Sequence, residues 1–247
     1  MAALQPASAP GYLILLDPAH GGQDTGARLN DHVMEKDINL ALSFRLRSLL
    51  AARGFTVITT RDTDAGTAPT ADQRADIANH AHPMACVLLH ASASGNGVHI
   101  FTSSLAMPSP DQLSQRRSMF IPWDAAQAAY LPKSLRLAAE VNSAFNRAEV
   151  PVTLSRTYLR PLDNLICPAI AVEIAPFTAS GSSDTEDLSS SAYQQRVAES
   201  LAWALVEWRL HTTGAFVGAE PGTKPGSLAV PRSKAGPAAN PMGESHP

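Results

Sequence analysis

Three apolar runs each lead to a side chain that binds metals or moves protons. Tyr12-Leu13-Ile14-Leu15-Leu16 leads to His20, Cys86-Val87-Leu88-Leu89 to His90, and Ala169-Ile170-Ala171-Val172 to Glu173. A fourth such residue, Glu35, opens an amphipathic helical stretch. In open α/β sheets, reactive groups collect at the carboxyl ends of strands. Catalytic zinc commonly takes three protein ligands from His and carboxylate and leaves one position for water. His20, Glu35 and His90 would supply that set. Glu173 would remain off the metal, as a general base for water requires. Spacing alone leaves other triplets open, because the chain has eight His.

The elements that must position these residues follow from apolar periodicity. Tyr12–Leu16 is nearly all apolar, as expected of a strand buried on both faces. Glu35-Lys36-Asp37 places acidic residues at a helix start, where the dipole favours them. Ile38, Leu42, Leu46, Leu49 and Leu50 give that helix its stripe, and Gly54 is its expected C′ residue. Phe55–Thr60 is rich in β-branched residues and predicts a second strand. This β-α-β opening points to a parallel sheet with a right-handed crossover. Further on, Thr70 can cap a helix over Ala71–Ala81, and strands are expected ending at His90 and over Gly97–Thr102, Val152–Leu159 and Ala169–Ile174. Leu135, Ala138, Val141 and Phe145 mark another helix, and Val197, Leu201, Ala204, Leu205 and Trp208 a long final one. The expected fold class is α/β: one domain, a twisted, mainly parallel sheet flanked by helices on both faces.

Composition bounds the rest. The 247 residues, 45% hydrophobic, support one domain over 11–211, with a lead-in at 1–10 and a Pro/Gly-rich tail at 212–247 expected to be disordered. A net charge of −3 lacks the basic excess of a nucleic-acid binder. No apolar run reaches transmembrane length, and the first residues carry no export signal. Cys86 and Cys167, each in or beside an apolar run, read as two buried thiols, with a disulfide as the alternative.

Several local strings carry a resemblance. Asp17-Pro18-Ala19-His20-Gly21-Gly22 and Glu35-Lys36-Asp37-Ile38-Asn39-Leu40 are followed by Thr60-Arg61-Asp62-Thr63-Asp64 and Gln73-Arg74-Ala75-Asp76-Ile77-Ala78-Asn79. Leu89-His90-Ala91-Ser92 and Pro168-Ala169-Ile170-Ala171-Val172-Glu173 complete the series. In this order, over about Gly11 to Leu210, the chain resembles the zinc-dependent N-acetylmuramoyl-L-alanine amidases of bacterial cell walls. The resemblance implies Zn2+ held by His20, Glu35 and His90, with Glu173 as the catalytic glutamate. It implies peptidoglycan or muramyl peptides as substrate, cut between N-acetylmuramic acid and L-alanine. It also implies a periplasmic or cell-envelope location and an activator protein as a further partner; a monomer is expected. The chain departs from the family pattern at Ala19, at Ser92 and at Ala175-Pro176, which bears on substrate contacts rather than ligands. Ser103–Lys133 also looks unlike the usual connection, and part of it is a candidate cover for the site. A zinc carboxypeptidase-like peptidase and a non-catalytic peptidoglycan-binding module are the alternatives.

Other residues carry weaker expectations. His32 and His99 are rival ligands. Asp17 is a candidate acceptor fixing a ligand imidazole. Arg74 and Asn79 are expected to pair helix with sheet, and Arg160 to form a surface ion pair or bind an anionic peptide carboxylate. Trp123 and Tyr130 are expected in a small local core, with a sugar-stacking wall as the alternative.

Overall fold

The computed structural model describes residues 12–64, 66–107, 109, 122–179 and 181–213. The lead-in over 1–10, nearly all of the tail from 212 and much of the 103–133 segment lie outside them. A six-stranded sheet has the order β2-β1-β3-β6-β4-β5, with β1 Tyr12–Pro18, β2 Phe55–Thr59, β3 Ala85–Ala91, β4 Val98–Ser103, β5 Val152–Thr157 and β6 Ala169–Ile174. β2, β1, β3 and β6 run parallel, and β4 pairs antiparallel to β6 while β5 follows β4. A short antiparallel pair, β7 Phe177–Thr178 and β8 Thr185–Glu186, stands apart.

The two faces of the sheet are covered unequally. One carries three long helices, α1 Glu35–Ala52, α3 Leu131–Arg147 and α4 Ser191–Thr213. They bury the stripes Ile38-Leu42-Leu46-Leu50, Leu137-Val141-Phe145 and Val197-Leu201-Leu205-Trp208 against Ile14, Leu16, Val87, Leu89, Ile170 and Val172. In α3 it is Leu137 that faces inward, and Leu135 points outward. The other face carries α2 Ala71–Ala81 and short 3-10 turns at Trp123–Ala129 and Leu162–Asn164, over a smaller core of Leu15, Ala75, Ala78, Leu88 and Leu162. Strand alternation assigns Cys86, Leu88 and His90 of β3, and Ala169, Ala171 and Glu173 of β6, to this thinner side. Among the described residues no helix is long and apolar enough to cross a membrane.

The helix starts are explicit. Thr70 and Gln73 bond reciprocally, side chain to backbone, at the start of α2. At α1 the Met34 amide donates to Asp37 Oδ2 at 3.2 Å, and Gly54 follows the C-cap of that helix with φ 80°.

Cys86 and Cys167 form a disulfide, which corrects the expectation of two thiols. The reason is topological. β3 and β6 are neighbours, Cys86 pairs in register with Ala169, and its amide donates to Pro168 O, so Cys167 arrives beside it. That adjacency is invisible in a chain where 81 residues separate the two. Trp123 also departs from expectation: it is exposed, and its indole donates to Asp72.

Asp17 and Arg74 form a buried ion pair at 2.6 Å, and the Thr60 hydroxyl donates to the same carboxylate oxygen. Removing one partner of such a pair orphans the other charge. Arg74→Met should lower unfolding free energy by about 3–5 kcal/mol in a denaturant titration. Reducing the disulfide should lower it by about 4 kcal/mol on a chain-entropy basis for a loop of this length, read as a reductant-dependent drop in Tm.

Candidate active site

His20, Glu35 and His90 come together at the carboxyl ends of β1 and β3 and the first residue of α1. Their donor atoms lie within 4.8 Å of one another, and among the described residues they are the one group of His, Cys, Asp or Glu so placed. His20 Nε2 is 3.2 Å from Glu35 Oε2, and His90 Nδ1 is 3.0 Å from Glu35 Oε1. Two ligands bonded tetrahedrally to one zinc sit roughly 3.3 Å apart, given bonds of about 2.0–2.1 Å. The donor set is one that zinc takes, and the two separations to Glu35 lie near that value.

Backbone geometry places His20. Arg74 donates to Pro18 O and His20 O, while Arg61 donates to Pro18 O, Ala19 O and Lys36 O. Two buried guanidiniums thus gather the carbonyls leading to His20, which adopts the left-handed conformation at φ 64°. Such a conformation is uncommon outside glycine and asparagine and is tolerated where surroundings over-determine it. Gly22 is clamped next. Its amide donates to Asp64, and its carbonyl accepts from Lys36, which also pairs with Asp64 at 2.6 Å.

Glu35 is 6% exposed and fully bonded. Oε1 accepts from the Ala91 amide and Asn39, and Oε2 from the Ala27 amide. Burial opposes its ionisation, but hydrogen bonds from His20, His90 and Ala27 together outweigh it and hold the carboxyl far below the usual carboxylate range. The bond to Glu35 raises the His20 pKa; burial opposes this and Asp24 adds to it.

Asp24 accepts from His20 Nδ1 at 2.9 Å. It occupies the orienting role expected of Asp17, whose carboxylate is taken up by Arg74 and Thr60 instead. The physical reason is placement: Asp17 lies within β1 and projects to the face that carries α2, where Arg74 takes it up, whereas Asp24 shares the His20 loop. Its four-residue spacing from His20 in a Gly-rich loop was the available signal. Gly26, at φ 64°, was also missed. A Cβ there would meet His20 Cδ2 at 2.6 Å and Glu35 Oε2 at 2.7 Å.

Glu173 pairs in register with His90 on β3, so both side chains stand on the thinner face. It is partly exposed, and among the described residues its side chain makes no hydrogen bond or ion pair. A cavity of about 200 Å³ opens beside it, lined by His90, Phe101, Thr157, Leu159, Ala171 and Glu173. His32 and His99 stand outside the three-residue group. Asn79 bonds Asn164 O and the Ile166 amide, and Arg160 pairs with Asp72 at the surface. Pro176 contributes only its carbonyl, to Gly97, while the Ala175 amide donates to Gly97 O.

Comparison with known proteins bears on the family and the fold. The germination-specific N-acetylmuramoyl-L-alanine amidase of Bacillus subtilis is 35% identical over 95 residues, 34% of this chain and 40% of that protein. The N-acetylmuramoyl-L-alanine amidase Rv3717 of Mycobacterium tuberculosis is 28% identical over 156 residues, 54% of this chain and 65% of that one. The matches thus span less than two thirds of either relative's length. Among solved structures, the amidase Ami1 of Mycobacterium smegmatis superposes with a TM-score of 0.62 at 19% identity, covering 80% of this chain and 96% of that one; this likeness speaks for the fold. A sequence model of the Amidase_3 family, N-acetylmuramoyl-L-alanine amidase, matches residues 14–207. The chain belongs to that family.

Proposed function

We propose that this protein is a zinc-dependent hydrolase of the amide joining N-acetylmuramic acid to L-alanine in peptidoglycan. The observation that carries this reading is the convergence of His20, Glu35 and His90 beside an unpaired Glu173, in a chain of this family.

His20, Glu35 and His90 would hold the metal. When bound, zinc would polarise the scissile carbonyl and acidify an attacking water. The chain's own residues do the rest. Asp24 accepts a hydrogen bond from Nδ1–H of His20, leaving Nε2 to face Glu35. Bonds from Ala27, Ala91 and Asn39 fix the Glu35 carboxylate, so its charge is in place before substrate arrives. Glu173, with no partner to satisfy it, accepts a proton from the attacking water and returns it to the leaving nitrogen. The disulfide suits an oxidising compartment, in keeping with action in the periplasm or cell envelope.

Incubation with purified peptidoglycan should release stem peptides bearing a free L-alanine amine, detected by mass. A chelator should abolish release and added zinc restore it; peptidoglycan left intact by zinc-loaded protein would end this reading. A parallel assay on free peptides separates a peptidase. Glu173→Gln should keep stoichiometric zinc and lose about 10²–10⁴-fold in kcat. Gly26→Ala should act on the ligands instead, weakening zinc affinity about 10–100-fold, by analogy with loss of the groups that orient ligands, as read in a competitive chelation titration.

A further inference from the structure

A row of side chains crosses the thinner face at the level of Glu173. In register, His90 of β3 stands beside Glu173 of β6, and Glu173 beside His99 of β4. Directly paired residues project to the same face, so the carboxylate lies between two imidazoles. They are not equivalent. His90 turns its Nδ1 to Glu35. His99 is built into a different frame: its Nε2 meets Ser155 Oγ at 2.7 Å, and its ring lies against Phe101 with centroids 3.9 Å apart. Both partners come from the β4–β5 pair, away from the metal ligands.

Two features make His99 more than a packed histidine. Its Nδ1 has no hydrogen-bond partner among the described residues, although the ring is locked at its other nitrogen. No hydrogen bond or ion pair joins it to Glu173 among the described residues, and its ring is partly exposed, next to Phe101 at the edge of the cavity beside Glu173.

We propose that His99 is a substrate-contacting residue that binds the peptide portion leaving with the amide nitrogen. The inference rests on the amidase reading and extends it. Across the sheet, the candidate ligands belong to the β1–β3 side, Glu173 to β6 and His99 to β4. A carbonyl held at the ligands and a nitrogen protonated by Glu173 define a line across the strands. The atoms that follow the nitrogen continue along it over β4. There the Nδ1 of His99 meets the polar backbone of the first stem residues, with Phe101 and Leu159 lining the adjoining cavity. Because Ser155 and Phe101 hold the ring, that contact needs little side-chain ordering.

The test is made on zinc-loaded protein with two readouts. Calorimetric titration with the free tripeptide L-Ala-D-Glu-L-Lys measures peptide affinity without turnover. Steady-state kinetics on the corresponding muramyl tripeptide separate KM from kcat. His99→Ala should weaken peptide binding and raise KM by about tenfold each, as loss of one hydrogen bond to the ligand would. His99→Asn should recover part of the loss. Ser155→Ala, which frees the ring to rotate, should lose about threefold. Unchanged Tm in these variants shows that the fold is intact. Unaltered affinity and KM in His99→Ala, or a loss confined to kcat, would overturn the proposal. Wild-type protein that binds the tripeptide through His99 but releases nothing from peptidoglycan would refute the amidase reading and leave the peptide contact standing.

Discussion

The site depends on how the backbone between Asp17 and Gly22 is held. A histidine in a left-handed conformation, preceded by carbonyls that no strand partner can satisfy, would not keep its place unaided. Arg74 and Arg61 supply the missing donors from inside the protein. The charge of Arg74 is offset by Asp17, which has one carboxylate oxygen bonded to Arg74 and Thr60 and the other without a partner, and that of Arg61 by Asp64 and Asp17. Buried ion pairs add little net stability compared with apolar packing. Here the pair supplies direction: it holds the Arg74 guanidinium so that its N–H groups meet the carbonyls of Pro18, His20 and Pro69.

That arrangement divides the labour between the two faces of the sheet. Three long helices and an apolar core rigidify one side, so the other can be left thin enough for a cleft. Polar residues at strand ends are then exposed on a surface that hardly moves. The electrostatics follow the same division. Glu35, buried and held ionised, sits where the helix face meets the ligands, whereas Glu173 stands open on the thin side.

Much of this was legible in the sequence, for identifiable reasons. The α2 bounds were readable because Thr70 and Gln73 form a capping box, and Ala169–Ile174 because a fully buried strand is a plain apolar run. The grouping of His20, Glu35 and His90 was legible through the strings around them, not through spacing. What escaped depends on which segments become neighbours. The disulfide needed the β3–β6 adjacency. Asp24 and Asp17 could be told apart only once the fold brought Asp17 to Arg74 and Asp24 to His20. Gly26 looked like any loop glycine until the side chains packed over it were in view.

The covalent tie between Cys86 and Cys167 has a mechanical consequence. β3 carries the cross-link near its start and His90 near its end, and the same bond anchors the chain two residues before β6 brings in Glu173. Paired strands keep their buried faces only if they slide by an even number of residues. With the sulfurs joined, even that slide is barred. The offset between the imidazole of His90 and the carboxylate of Glu173 is thereby set by a bond at the far end of the same two strands.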